Sequence, residues 1–346
     1  MKIAVYTIAK NEEQFAERWV KSCAGADYLV VGDTGSSDNT VDALRKLGVK
    51  VIDAKIDQFR FDTTKQMTLD AIPSDADVCI QMDMDEVLSD GWRAELEKVY
   101  NPQTSRYGYK FISTVGATSK DDVWFYNNKI HNRHAYKWKY PCHEVLSYVG
   151  PNTESAVFCH LIMKHYPDVT KSRGSYMSLL KIGAQEYPDD LWALEYYARE
   201  LVFYKQYNDA IKVLEKAVSI PTANLKNRAA SYHMLAVCYR SINNYDLEIN
   251  SLKLGMSTLP DANICAKLSR ALRENFDYQE SAMFGILSEG IKDEHILYVD
   301  RIGHGAGYEQ ACLSHMMLNN MDSAKHFATT AASVNQSKSY LLGFFR

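Results

Sequence analysis

The 346-residue chain has no long apolar run, and nothing in it approaches the roughly 20 consecutive apolar residues that cross a bilayer. It also lacks paired cysteines. Cys23, Cys79, Cys142, Cys159, Cys238, Cys265 and Cys312 are odd in number, irregularly spaced and without a C-x-x-C pair. That argues against a disulfide framework or a zinc knuckle and for a reducing, cytoplasmic setting. An excess of charge is missing too. A net charge of -4 with 24% charged residues gives no global attraction to nucleic acid or to an anionic membrane. The opening segment Met1–Tyr6 reads as a strand, and its apolar run, interrupted at Lys10, is too short for a signal peptide. What remains is a chain long enough for two domains, 46% hydrophobic, with 23 tyrosines that suit packed helix pairs.

Read in order, short apolar runs alternate with helical spacing. Ile3–Ile8, Tyr28–Val31, Val49–Ile52 and Val78–Met82 are strand-like. Helices are expected after Glu13, from Val41 to Lys46 and from Thr63 to Ala71. This alternation predicts a parallel sheet with helices on both faces, whose ligands sit at the carboxyl ends of the strands. After a helix from Gly91 to Val99, short aromatic and β-branched runs follow: Tyr107–Val115, Val123–Tyr126, His134–Trp138, Val145–Val149 and Ala156–Leu161. They predict an antiparallel extension of the first domain.

The fourth strand ends in Asp83-Met84-Asp85-Glu86. Asp83 and Asp85 point the same way in an extended chain. Like charges that close need a cation or a set of donors to offset them, and a divalent metal holding a diphosphate would do so. The alternative is a pair of solvated carboxylates at a strand end, with Glu86 opening the next turn.

From about Val169 the pattern is helical. Tyr197-Ala198-x-x-Leu201 followed by Tyr207-x-x-Ala210-Ile211-x-x-Leu214-x-x-Ala217 matches Leu235-Ala236-x-x-Tyr239 followed by Tyr245-x-x-Glu248-Ile249-x-x-Leu252-x-x-Gly255. The period is close to the roughly 34 residues of tetratricopeptide repeats. Glu248 departs from the expected small residue. A weaker unit covers Tyr278–Gly290, and a fourth runs from Cys312 to Ala331. The apolar tail Tyr340–Phe345 is expected to dock on the last repeat or on a partner chain as a homodimer contact. These readings divide the chain into an α/β domain over residues 1–168 and an all-α repeat domain over residues 169–346.

Several ordered motifs in the first half resemble family 2 glycosyltransferases, specifically the subgroup with appended tetratricopeptide repeats. They are Ala9-Lys10-Asn11-Glu12-Glu13, Val31–Thr40, Phe61–Gln66, Asp83-Met84-Asp85-Glu86, His143-Glu144 and His165-Tyr166. Lys65-Gln66 departs from that family's usual Arg-Asn, keeping a charge but losing a bidentate fork. The resemblance implies a GT-A, Rossmann-like nucleotide-sugar domain followed by a TPR-like domain. It implies an inverting, metal-dependent transfer of a hexose from a nucleotide sugar, UDP-linked by expectation, to a protein, peptide or glycan acceptor presented by the repeats. Thr7, Ala9, Asn11, Glu12, Asp33, Lys65, Asp83 and Met84 are then expected to bind the donor. Asp85, with Asp83 and His165, would hold Mn²⁺ or Mg²⁺.

Each of these residues also has a plainer reading. Asp33 suits an Asx turn closing the Gly-Ser loop. Ser37 or Asp38 suits a helix cap. Glu144 is the expected base, with His143 orienting it, yet a His-Glu pair also braces loops. His165 is a metal ligand or a hydrogen-bonded structural histidine, and His131 and His160 read as structural. Lys65, Arg133 and Lys137 are candidates for balancing the leaving diphosphate, although exposed basic residues such as Arg133 and Lys137 are usually only solvated. The stretch His131–Tyr140 interleaves basic and aromatic residues, which admits a nucleic-acid acceptor or an amphipathic strand. Two rival functions remain: a haloacid-dehalogenase-like phosphatase, with the first Asp as nucleophile, and an inactive adaptor built on the repeats.

Overall fold

The computed structural model describes residues 1–113, 123–167, 176–222, 224–291 and 305–345. The chain divides into two units, Met1–Ser175 and Tyr176–Arg346. The expected boundary at residues 168 and 169 lies outside the described residues, as do the last two residues of the expected strand ending at Val115.

In the first unit, β1 (Ile3–Ala9), β2 (Tyr28–Asp33), β3 (Lys50–Asp53) and β4 (Val78–Gln81) alternate with α1 (Glu13–Ser22), α2 (Thr40–Lys46) and α3 (Phe61–Asp70). After them come β5 (Glu86–Leu88), α4 (Trp92–Val99), β6 (Arg106–Ser113), β7 (Val123–Asn132), β8 (Tyr136–Lys139), β9 (Val145–Tyr148) and β10 (Ala156–His165). One mixed sheet runs β3-β2-β1-β4-β7-β6-β10-β5, and β8 and β9 form a separate pair.

Alternation along the central strands explains the layering. Ile3, Val5, Val31, Val78, Ile80 and Met82 pack with Trp19 of α1, Leu44 of α2 and Leu96 of α4. Ala4, Tyr6, Val30 and Cys79 face the opposite way, against Leu69 of α3 and Trp138 and Leu146 of the β8–β9 hairpin. Gly32 is required by this packing. A Cβ there would collide with the Thr68 side chain and lie 3.0 Å from the Ala54 Cβ.

The extension differs from the antiparallel expectation. β7 is antiparallel to β4 and to β6, but β10 runs parallel to β6. The β8–β9 hairpin intervenes between β7 and β10, so β10 re-enters the sheet in the same direction as β6. Glu86 does not open a turn; it begins β5, an antiparallel edge strand on β10. β1, β2, β3 and β4 are mutually parallel. Two reversals bring β6 and β10 into the same direction. Six carboxyl ends therefore share one rim.

A buried chain of hydrogen bonds crosses the second core. The Trp138 Nε1–H donates to the Tyr6 hydroxyl at 3.0 Å, which lies 3.0 Å from His131 Nε2. His131 Nδ1 is 2.8 Å from the Asn132 carbonyl. A neutral imidazole protonated on Nδ1 satisfies the whole chain, with Tyr6 donating to Nε2. Burial, opposed by the Asn132 carbonyl, pushes His131 down to about 4. His131 is thus structural, as read; His160 instead lies exposed on β10.

The second unit opens with α5 (Tyr176–Glu186) and continues as helix pairs: α6 (Leu191–Phe203) with α7 (Tyr207–Ser219), α8 (Leu225–Ser241) with α9 (Tyr245–Thr258), α10 (Ala262–Glu274) with α11 (Tyr278–Gly290), and α12 (Ala306–Met317) with α13 (Met321–Val334). The turn inside each pair repeats. Lys205, Asn243, Phe276 and Asn319 all adopt positive φ, at 58°, 60°, 66° and 57°. The next N–H in each case returns to the carbonyl of Leu201, Tyr239, Leu272 or His315, at 2.8, 2.8, 2.9 and 2.9 Å. That is the Schellman closure of a helix end. Ala198, Ala236, Ser269 and Cys312 hold one buried position of the first helices; Ala210, Ser281 and Ala324 hold one of the second. Glu248 occupies the latter position in its pair, buried and bonded to Arg240 at 3.1 Å. The third unit is weak in sequence because α10 carries Ser269 where α6 and α8 carry Ala198 and Ala236. Its partner helix packs through glycine: a Cβ on Gly285 would lie 2.6 Å from the Gly307 carbonyl.

The tail forms a 3-10 helix (Gln336–Phe345) whose Leu341 is buried with Cys312, Ala324, Ala328 and Ala331. It docks on its own last pair, and this burial lends no support to the homodimer contact.

Two outcomes test this description. Unfolded His131 takes up its proton near 6.5 and folded His131 near 4, so between those values the unfolded state binds more protons. Stability then falls as pH drops from 6.5 to 4, by up to about 3 kcal/mol from this group. Urea midpoints of His131→Gln should show a correspondingly shallower acid loss than wild type. Phe276→Gly should raise the melting temperature of the helical unit by about 2–4 °C, because a left-handed backbone costs a side-chain-bearing residue about 1 kcal/mol.

Candidate functional site

The rim gathers most of the expected residues. The loops after β1 and β2 are latched to each other. Asn11, at φ 55°, accepts the Ser37 N–H on Oδ1 at 2.7 Å, and its own N–H donates to Ser36 Oγ at 3.0 Å. The Glu12 N–H donates to Thr40 Oγ1 at 2.7 Å, and Glu13 accepts from Asn39 Nδ2 at 3.2 Å. Asp33 accepts the N–H groups of Gly35 and Ser36 at 3.1 and 3.2 Å. It forms the Asx turn that the loop needs at the carboxyl end of β2. Asp38 accepts the Thr40 N–H at 3.0 Å at the start of α2.

Thr7 is fully buried within β1, with its hydroxyl on the Ile8 carbonyl at 3.2 Å. Ala9 is buried, and its carbonyl accepts from Thr34 N at 2.9 Å. The Met84 side chain belongs to the core below the sheet. At Thr7, Ala9 and Met84, backbone atoms are what the rim can offer a ligand.

The acidic tip splits into two networks. Asp83 receives Gln81 Nε2 at 2.7 Å and Lys65 Nζ at 3.3 Å, with Lys129 Nζ at 3.7 Å from its other oxygen. Burial opposes its charge, but Lys65 and Lys129 hold its carboxyl well below the usual range. Asp85 instead pairs with His165, Oδ2 to Nε2 at 3.2 Å. Ser113 Oγ lies 3.4 Å from His165 Nδ1, and the Tyr166 N–H donates to the Asp85 carbonyl at 2.9 Å. The hydrogen bond that His165 donates to Asp85 raises the imidazole above its ordinary value. Glu86 accepts the Asp83 N–H at 2.8 Å; burial and the neighbouring Asp83 charge push it up to about 7.

Lys65 joins the tip to the expected base. Its Nζ lies 2.7 Å from Glu144 Oε1 and 5.1 Å from the centre of the Trp138 ring. Burial works against the ammonium, but Asp83 and Glu144 raise its pKa. Glu144 reaches it because the hairpin loop docks on α3. The Phe61 N–H donates to the Pro141 carbonyl at 3.0 Å and the Trp138 N–H to Gln66 Oε1 at 3.0 Å. His143 sits beside Glu144 at φ 52°. Both residues of the departing Lys65-Gln66 pair thus have work: one carries the charge, the other anchors the hairpin.

Two expectations need correction, and the plainer reading of Lys137 holds. Among the described residues, no group of three or more His, Cys, Asp or Glu stands close enough to hold a metal ion, so Asp83, Asp85 and His165 do not converge on one point. Asp83 is drawn to the lysines, while Asp85 and His165 form a two-donor pair. Arg133 lies at the opposite end of the sheet, where its guanidinium donates to the Asp70 and Ile72 carbonyls at 3.3 and 3.2 Å. Lys137 is exposed between the buried Tyr136 and Trp138, the pattern of an amphipathic strand.

Gln81, Lys129 and Ser113 were missed. Gln81 had a signal, being the lone polar side chain inside an apolar strand. Lys129 and Ser113 had none, because only strand pairing brings β6 and β7 to the tip.

No protein-family model matches the sequence, and no curated protein matches it. Solved structures give likenesses at low identity. A crystal structure of MamA is 17% identical, with a TM-score of 0.41 over 51% of this chain and 99% of that one. YrrB, titled a TPR protein with an unusual peptide-binding site, is 13% identical, with a TM-score of 0.40 over 49% of this chain and 81% of that one. A Podospora anserina kinesin-light-chain protein with TPR-like repeats is 17% identical, with a TM-score of 0.37 over 48% of this chain and 88% of that one. No described helix is long and apolar enough to cross a membrane.

Lys65→Met tests the shared cation. It leaves the carboxylates of Asp83 and Glu144 facing each other, with Lys129, 3.7 Å from Asp83, as the remaining nearby cation among the described residues. Because Asp83 is 41% exposed, the loss should be about 2 kcal/mol, below that of a fully buried pair. Urea denaturation at pH 7 measures it.

Proposed function

We propose that the first unit is a GT-A-type glycosyltransferase domain that transfers a hexose from a nucleotide sugar, with UDP as the expected carrier. The observation that carries this reading is the shared rim. The Gly-Ser loop after β2, the acidic tip after β4, Lys65 and the Asp85–His165 pair all sit at strand carboxyl ends or the helix start facing them, where ligands of such sheets bind, and the separate hairpin brings Glu144 to Lys65.

The residues divide the work as follows. Asp33, with backbone groups of the loops at Ala9–Glu12, suits the base and ribose of the donor. Lys129 and Lys65 provide positive charge for the diphosphate, and Asp83 orients both. Asp85 and His165 offer one carboxylate and one imidazole, a donor set that suits Mn²⁺ or Mg²⁺ when phosphate and water supply the remaining ligands. Such an ion, when bound, would stabilise charge on the departing diphosphate. Glu144 accepts the proton of the attacking acceptor group as that group bonds to the anomeric carbon. The bond from that carbon to the phosphate oxygen breaks, and its electron pair leaves with the nucleoside diphosphate. Lys65 and His143 hold Glu144 in place. The acceptor class, a protein, peptide or glycan presented by the repeats, belongs to the same proposal.

A second reading is an adaptor in which the helical unit binds a protein partner and the sheet unit has no chemistry. The four repeated helix-pair turns support it, and so does the Lys65 bridge, which ties up both Asp83 and Glu144. The structural likenesses, all with TM-scores below one half, add weight to neither reading.

Thermal-shift titration separates the two. UDP-hexose with Mn²⁺ should raise the melting temperature where neither alone does so. Asp85→Ala should keep the wild-type melting temperature without ligand and lose the joint shift and any metal-dependent turnover. No shift with any nucleotide sugar in the presence of Mn²⁺ would leave the adaptor reading.

A further inference from the structure

The sheet extension of the first unit carries an open aromatic face that the donor-site reading does not use. Side chains alternate along β7. Phe125 packs on Phe111, ring centres 5.1 Å apart, so Trp124 and Tyr126 turn to the opposite face. The β8–β9 hairpin covers that face as far as Arg106, which donates to the Leu146 carbonyl at 2.7 Å. Farther along, Trp124, Tyr126 and Phe158 stand 55%, 63% and 64% exposed.

The rings are placed by their surroundings. A Cβ on Gly108 would lie 2.5 Å from the Phe158 ring, so glycine is what lets that ring lie across β6. Phe158 then meets Tyr126 with ring centres 5.0 Å apart, and Tyr126 meets Trp124 at 5.9 Å. Lys110 Nζ stands 4.7 Å from the centre of the Trp124 ring and steadies it. Opposite Gly108 the strand β7 bulges: Tyr107 pairs with Ile130 and Tyr109 with Asn127, so Asn128 and Lys129 share one position. One end of the face therefore reaches the rim, where Lys129 Nζ lies 3.7 Å from Asp83.

A ligand for this face must offer apolar and hydrogen-bonding surface within each of its units, because the exposed Asn128, the Tyr126 hydroxyl and Lys110 lie among the rings. It must also suit rings that cross. Trp124 and Tyr126 meet at 82°, Tyr126 and Phe158 at 66°. Successive stacked bases need parallel ring faces, which this arrangement does not offer. A pyranose meets both demands: its C–H face packs on an aromatic ring while its hydroxyls stay bonded to amides and water.

We propose that this face is a glycan-binding site for a chain of several pyranose units. That the chain is the acceptor rests on the donor-site reading; that it binds here does not. At ~3.4 Å per residue, Tyr126 and Trp124 stand about 10 and 17 Å along β7 from Lys129. A single sugar does not span that distance, whereas a chain lies on the rings and brings its end to the rim.

Calorimetric titration of the full chain with cellotetraose, maltotetraose, chitotetraose and tetragalacturonate, without metal or nucleotide sugar, should show saturable binding of at least one. The matching monosaccharide should bind at least tenfold more weakly. Trp124→Ala and Phe158→Ala should each weaken the tetrasaccharide at least fivefold at an unchanged melting temperature, since both rings are more than half exposed. Unchanged affinity in both folded variants overturns the proposal, as does no saturable binding of any of the four. Tighter Trp124-dependent binding of a single-stranded oligothymidylate or of phosphatidylglycerol vesicles overturns it too, in favour of a nucleic acid or a lipid surface. The donor test is read separately. Trp124-dependent glycan binding without a UDP-hexose shift overturns the donor reading alone, and a UDP-hexose shift without glycan binding overturns this proposal alone.

Discussion

One ammonium group stands between two carboxylates from distant parts of the chain. Lys65 projects from the second turn of α3 and reaches Asp83 beyond β4 and Glu144 in the loop between β8 and β9. Both acids offset the cost of burying it, and it offsets their mutual repulsion, with Lys129 assisting at Asp83. Around that group the rest of the rim is arranged. Gln81 and Lys129 complete the shell of Asp83, Trp138 covers the ammonium, and the hairpin docks on α3 so that Glu144 arrives.

The sheet is what makes this meeting possible. Four parallel strands bring the Gly-Ser loop and the acidic tip to one edge. β7 then runs backwards, so β6 and β10 again end at that edge and deliver Ser113 and His165 beside Asp85. The opposite edge has its own work. There Arg133 satisfies carbonyls at the end of α3, a structural duty with no part in the rim. Basic side chains therefore serve charge at one end, as lysines, and helix termination at the other, as an arginine.

In the helical unit, identical turns coexist with unlike contents. The backbone closes each pair the same way, while the small residue expected at one packing position is alanine, glutamate, serine or alanine. Glu248 is accommodated because Arg240 bonds to it, and the Arg270 charge also favours its ionised form. One substitution in a repeat thus changes the electrostatics of the neighbouring helix pair without disturbing the turn.

Local pattern determined a good deal by itself. Short apolar runs located the four parallel strands, and a repeat of roughly 34 residues with small residues at matching places located three helix pairs, because burial in a sheet or in a helix seam imposes those patterns on the sequence. Asp33 as turn former and the acidic tip at a strand end were legible for the same reason. Tertiary structure alone decided which charges meet. The return of β10 parallel to β6, the hairpin's departure from the sheet, Lys129 beside Asp83, and the separation of Asp83 from the Asp85–His165 pair all depend on strand order. Strand order is fixed by the packing of whole faces, and no residue's immediate neighbours in sequence carry that information.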